Sequence, residues 1–332
     1  MGIAALTTAL GLGVLAAPAQ QTEPMPLQLE AKITLGEVAG RIDHMAIDLT
    51  RRRLFVAELG NNAVGIVDLD ARKVIHVIDG LAEPQGVAYV ASNDTLYVAN
   101  ARDGSVRRFG GKDYNEVGRL ELGDDADNIR VDAAGADIFV GYGSGALARL
   151  DSASGAKLSD IRLKAHPESF QLDPRSSRIF VNVPEAKEIA VVDRLSGRQT
   201  ASWPMRDVGN FPMALDGQGQ RVLVVFRSPP ALGVFSMLDG AVVARMPTCG
   251  DADDVFLDGG RGRIYVSCGE GLVDVFALRG ETYQRIARVP TASGARTSLF
   301  VPELDRLFVA ARATLLDPAS VLVFKPDRSA PK

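Results

Sequence analysis

Side chains able to bind ligands, coordinate cations or move protons recur in this sequence at a nearly fixed interval. Asp43, Gln85, Asp127, Glu168, Phe211, Asp253 and Arg296 follow one another at separations of 42, 42, 41, 43, 42 and 43 residues. Beside them stand His44, Asp125, Asn128, His166, Asn210, Asp251 and Asp254. Carboxylate and amide oxygens are hard donors, and roughly six to eight of them at flexible distances suit Ca²⁺ or another divalent cation. Asp127, Asn128, Glu168 and Asp253 are the residues such a cation would use. His44 and His166 add imidazoles, the groups whose charge changes near neutral pH. Asp and Asn also build turns, where their side chains bond exposed backbone. A ligand site, a structural ion and plain loop chemistry are therefore all open readings of these residues.

The elements that must position them repeat at the same interval. The phrase Arg53-Leu54-Phe55-Val56-Ala57 returns as Thr95-Leu96-Tyr97-Val98-Ala99, Asp137-Ile138-Phe139-Val140-Gly141, Arg178-Ile179-Phe180-Val181-Asn182, Arg221-Val222-Leu223-Val224-Val225, Arg263-Ile264-Tyr265-Val266-Ser267 and Arg306-Leu307-Phe308-Val309-Ala310. Each copy is flanked by further short runs rich in β-branched and aromatic residues, separated by Gly, Asp and Asn turns. In the first unit these strands are expected at 45–48, 54–57, 63–68 and 74–78. Four short strands per period of about 42 residues is the pattern of a propeller blade. An α/β alternative would need an amphipathic helix in every repeat, and the period leaves no room for one. The expected fold is all-β: a seven-bladed β-propeller of four-stranded antiparallel blades, one domain over 20–332.

The seventh unit offers strands near Ser298, at 306–310 and at 321–324, then a polar tail in place of a fourth. Leu27, Leu29, Ala31, Ile33 and Leu35 alternate with polar residues, the signature of a strand buried on one face. This N-terminal strand is expected to complete the last blade and close the ring, removing an open sheet edge. In such a blade the loop leading into the first strand and the loop between the second and third strands share one rim. The recurring polar residues thus converge at the mouth of the central channel.

With Tyr97-Val98-Ala99-Asn100 and the preceding Pro84-Gln85-Gly86-Val87-Ala88 in view, the chain resembles the YVTN-type propellers of the YncE-like family, over nearly all of its length after residue 19. The resemblance implies the fold. It implies no single activity, because propellers of this type include binding proteins, lactonases and subunits of redox enzymes.

Residues 1–19 are small and apolar, with a core at 3–15 and Ala17-Pro18-Ala19 as a small-x-small cleavage signature, so a removed signal peptide and a periplasmic or extracellular location are expected. No later stretch approaches the ~20 apolar residues that span a bilayer, so no membrane insertion is expected. Cys249 and Cys268 fall on the same rim of the sixth unit. In an oxidising compartment they are expected to pair, a pair of free thiols being the alternative. The net charge is −4 with basic residues dispersed, which argues against a nucleic-acid partner.

Three histidines are too few for a multicopper cluster, and no Cys-x-x-Cys-His attaches a haem. Gly141-Tyr142-Gly143-Ser144-Gly145 is spaced like a dinucleotide loop, but no helix follows to receive a phosphate, so it reads as a turn. Serine-hydrolase and zincin motifs are missing as well. What the residues support first is a monomeric binding protein that captures a small molecule, a metal or an extracytoplasmic protein. The alternative is a metal-dependent hydrolase similar to the gluconolactonase propellers, with a divalent cation activating water.

Overall fold

Each repeat folds into a sheet because its second strand carries a run of consecutive apolar residues that must be covered on both faces. Leu54, Phe55, Val56 and Ala57 are all fully buried. Side chains along a strand alternate between faces. Leu54 and Val56 accordingly pack toward one neighbouring blade, and Phe55 and Ala57 toward the other. The third position of the recurring phrase does the same work seven times. Phe55, Tyr97, Phe139, Phe180, Leu223, Tyr265 and Phe308 each enter a different one of the seven blade-to-blade cores. Burying a side chain of this size stabilises by about 2–3 kcal/mol. The repeat of aromatic and aliphatic residues is thus a repeat of wedges between blades.

The computed structural model describes residues 1–2, 25–111, 113–279 and 282–327. The expected signal segment lies outside the described residues apart from its first two positions. The described chain forms seven four-stranded antiparallel sheets. Blade one comprises Met45–Asp48, Arg53–Glu58, Ala63–Asp68 and Lys73–Ile78, within a residue of the strands expected from sequence. The first strands of blades two to six are Pro84–Val90, Ile129–Val131, Phe170–Leu172, Val208–Asp216 and Ala252–Asp258. Among the described residues the helical turns are Leu59–Asn61 and Pro302–Leu304, both 3-10. Outermost strands are largely exposed. His76, on the outer strand of blade one, faces solvent and lies beside Tyr114, their ring centroids 5.4 Å apart.

Blade seven is made of Ser298–Val301, Arg306–Ala311 and Ser320–Pro326, and its fourth strand is Leu27–Thr34. The N-terminal strand therefore closes the ring. It does so with one departure from simple alternation. A bulge between Leu29 and Ala31 shifts the register against Ser320–Pro326. One extra residue in a strand reverses which face every later side chain meets. Leu27 faces the core shared with blade six, Ile33 faces the core shared with blade one, and Leu29 is 57% exposed.

On the rim away from the channel mouth, Asp side chains hold the turns. Asp68 accepts from the backbone N–H groups of Asp70 and Ala71, and Asp193 from those of Leu195 and Ser196. Turn chemistry thus accounts for many acidic residues of the sequence, but not for those at the mouth.

Candidate functional site

The loops leading into the blades are pinned by a repeated pair of backbone hydrogen bonds. In blade one the Asp43 N–H donates to the Ala57 carbonyl at 2.7 Å, and the Ala57 N–H donates to His44 at 3.0 Å. Blade three repeats it with Asp127, Gly141 and Asn128, and blade four with Glu168, Asn182 and Ser169. One backbone arrangement in equivalent places aims equivalent side chains at the axis. All seven of Asp43, Gln85, Asp127, Glu168, Phe211, Asp253 and Arg296 line a single cavity of about 230 Å³. His44, Asn128 and His166 also line it, as do Asp125, Ser169, Arg41 and Arg227.

Two glycines make this geometry possible. A Cβ on Gly86 would fall 2.0 Å from the Asp127 carbonyl oxygen, so only glycine lets blade two approach that loop. Gly143 takes φ +59° in the turn after the second strand of blade three, and its carbonyl lies 2.7 Å from His166 Nδ1. The glycine-rich segment is a turn, and it orients a histidine.

Two expected members sit behind the wall and not on it. Asn210 is fully buried and donates to Asn182 Oδ1 and the Glu188 carbonyl, tying blade five to blade four. Asp254 accepts the Ser298 N–H at 2.7 Å and lies 4.0 Å from His44 Nδ1, beneath the mouth. Arg41, Ser169 and Arg227 are the cavity residues the sequence reading passed over. Arg41 stands two places before Asp43, and Arg227 ends the second strand of blade five, a position the shared-rim argument already assigns to this face.

Charge is unevenly distributed around the wall. Arg227 pairs with Asp253, donates to the Ala252 carbonyl at 3.0 Å and stacks 3.8 Å over the Phe211 ring. Arg296 reaches Asp251 at 2.8 Å and Asp253 at 3.0 Å. Arg41 holds Asp43 at 2.7 Å. His166 stands 3.6 Å from Asp125 and 4.0 Å from Asp127. Burial opposes charge on His166, but the Asp127 carboxylate, the Gly143 carbonyl and Asp125 hold it up to about 9. Burial also opposes charge on Asp127. The His166, His44 and Arg41 cations win and keep that carboxyl below its ordinary value. Burial dominates at Glu168 and, with the neighbouring Asp127 charge, pushes it up to about 7. The cavity thus holds a charged imidazole, an ionised Asp127 and a Glu168 poised between its two forms at neutral pH.

Asp127, Asn128, Glu168 and Asp253 do not assemble a cation cage. Asp253 is held by two guanidinium groups, and among the described residues no three His, Cys, Asp or Glu side chains are close enough to share a metal ion.

Cys249 and Cys268 form a disulfide with Cα atoms 5.8 Å apart. Both are buried at the mouth end of blade six. Together with the hydrogen bond from the Gly269 N–H to the Asp251 carbonyl, the disulfide fastens the loop bearing Asp251 and Asp253 to the end of the second strand. The carboxylates that clamp Arg227 and Arg296 therefore stand on a cross-linked base.

Comparison with protein-family models finds no match, and neither does comparison with curated proteins. Among solved structures, a chain of hydrazine synthase from Kuenenia stuttgartiensis superposes with a TM-score of 0.75 at 17% identity, covering 90% of this chain and 100% of that one. A chain from the crystal structure of the mitotic checkpoint complex superposes with a TM-score of 0.77 at 11% identity, covering 96% and 98%. At these identities the shared property is architecture, and what the comparisons establish for this chain is the seven-bladed β-propeller fold.

Proposed function

We propose that this protein is an exported binding propeller of the YVTN-type, YncE-like kind that captures a small polar molecule in the cavity at its channel mouth. One observation carries the reading: all seven blades send a side chain into one concave polar space. A rim that served only to turn the chain would satisfy its side chains locally. Here Asp127 Oδ1 and Asn128 Oδ1 are buried without a hydrogen-bond partner, each at a cost of about 1–3 kcal/mol that a ligand would relieve. At about 230 Å³ the space is smaller than the ~300–1,000 Å³ typical of drug-sized ligands, so the molecule is small. The unmet groups lie inside a concavity, which favours a small molecule over a flat protein partner. Export is supported by residues 1–19 and by the disulfide, which suits an oxidising compartment.

Thermal-shift measurement of the full chain against a library of small polar metabolites tests the reading. A ligand that raises the melting temperature of the wild type should lose its effect on the triple variant Asp127→Ala, Glu168→Ala, Asp253→Ala, while circular dichroism still reports the sheet. An undiminished shift in the triple variant would place binding elsewhere and overturn the proposal.

A further inference from the structure

The cavity wall divides into two chemically different halves. On the side formed by blades five to seven and the loop before blade one, the cations are matched. Arg227 and Arg296 share Asp253, Arg296 also takes Asp251, and Arg41 takes Asp43. On the side of blades three and four, the unmatched groups are oxygens. Asp127 is 6% exposed and Asn128 3%, and each has a buried Oδ1 with no partner. The Glu168 carboxylate, from the adjacent blade, lines the same space with no hydrogen bond or ion pair among the described residues.

These unmet groups share one polarity. A ligand presenting N–H donors and positive charge satisfies them. A carboxylate or phosphate would set lone pairs against these lone pairs, and the guanidinium groups it would seek already hold Asp43, Asp251 and Asp253. Buried charged acceptors gain most from a charged donor, since such hydrogen bonds are roughly twice as strong as neutral ones.

The geometry points to a small organic cation, an ammonium or amidinium on a short carbon chain, as the ligand of this cavity, with its N–H groups donated to Asp127, Asn128 and Glu168. This inference rests on the binding reading and narrows its ligand class. His166 approaches Asp127 from the Oδ2 side at 4.0 Å, and Oδ1, unpartnered and with almost no accessible surface, meets the ligand when the carboxylate turns toward the cavity. The cavity's volume corresponds to roughly eight waters at ~30 Å³ each, enough for a chain of a few carbons. Glu168 faces Asp127, His166, Asp253, Arg227 and Arg41, and burial holds it near neutrality. A bound cation keeps it ionised, so binding at pH 7 should release a proton.

Isothermal titration calorimetry on the full chain tests this with butylamine, agmatine, glutarate and erythritol in the presence of chelator, and with CaCl₂ in its absence. The expected result is binding of at least one amine, weakened tenfold or more by Asp127→Asn. Glu168→Gln should weaken it as well and abolish the proton release, read as a dependence of the heat on the buffer's ionisation enthalpy. Glu168 lies on a loop, so this second variant keeps the test valid if Asp127→Asn fails to fold. Arg296→Gln separates the polarities: it frees Asp251 and Asp253 as further acceptors at the cavity and should raise amine affinity. Loss of amine binding in folded Arg296→Gln protein would overturn the assignment. So would silence from both amines. Heat from glutarate, erythritol or calcium alone would overturn the cation while leaving a binding cavity in place.

Discussion

Cutting Ile33 back to alanine removes three carbon atoms from a side chain that is only 2% exposed in the core between blades seven and one. At about 0.8 kcal/mol per buried carbon, plus a cavity the rigid blades cannot collapse, the loss comes to about 3 kcal/mol. With an unfolding entropy near 2.1 cal/mol/K per residue, that is a fall of about 4 °C in melting temperature for a chain of 332 residues. Leu27→Ala should cost about as much, because Leu27 is equally buried on the opposite face. Leu29→Ala should fall within about 0.5 kcal/mol, since that side chain is largely exposed. Equilibrium unfolding in guanidinium chloride, followed by circular dichroism and by fluorescence of Trp203, measures all three. Equal costs for Leu29→Ala and Ile33→Ala would show a straight strand with one buried face and refute the bulged closure. A cost below about 1 kcal/mol for Ile33→Ala would show that the strand is not docked at all.

Deleting residues 26–36 should lower the melting temperature more than any of these substitutions, by leaving Ser320–Pro326 as an open edge; an unchanged value would refute ring closure. Replacing Cys249 and Cys268 by serine opens a loop of 19-residue separation and should cost about 3 kcal/mol by the chain-entropy relation, with no measurable loss meaning that the loop is held by hydrogen bonds alone. Stability should fall as pH rises from 5 to 9. Glu58, Glu168 and Asp254, raised by burial to about 7, take up protons on folding below that value, and the stabilising charge of His166 is complete below about 6.5 and lost as pH passes 9. A melting temperature that climbs over this range would contradict the assigned burial. Glu58→Gln should stabilise at pH 8 and not at pH 5, because burial alone raises that carboxyl and its Oε1 has no partner; an equal effect at both pH values would rule out ionisation as the cause.

The blade count, the closing strand and the ring of seven mouth residues were legible because each is a translational repeat. A wedge such as Phe55 or Tyr97 and a rim residue such as Asp43 or Asp127 keep a constant offset from one another. What was not legible breaks that constancy. The bulge at Leu29 depends on how the strand meets Ser320–Pro326, a contact between segments distant in sequence, so local alternation pointed all five apolar residues the same way. Arg41 and Arg227 lie outside the aligned column, and an arginine's reach carries its charge several ångströms from where the backbone position suggests. Asp254 and Asn210 looked like mouth residues by proximity to that column. His44 and Asn128, at the same offset as Asp254, do line the cavity, so offset from the column did not by itself decide which side of the wall a side chain meets. The ionisation of Glu168 could not be read from sequence at all, because it follows from its burial and its nearness to Asp127, which belongs to another blade.

The join between Leu27–Thr34 and Ser320–Pro326 also sets a schedule. The two segments are separated by roughly 290 residues, which at synthesis rates of ~5–20 residues per second is a delay of about 15–60 s. The strand made early is therefore the last to be placed, and every blade before the seventh must hold its shape as an incomplete arc. Such long-range pairing is intrinsically slow to form. The six wedge-filled interfaces that come first give that arc local order of its own, so the clasp fastens an assembly already shaped to receive it.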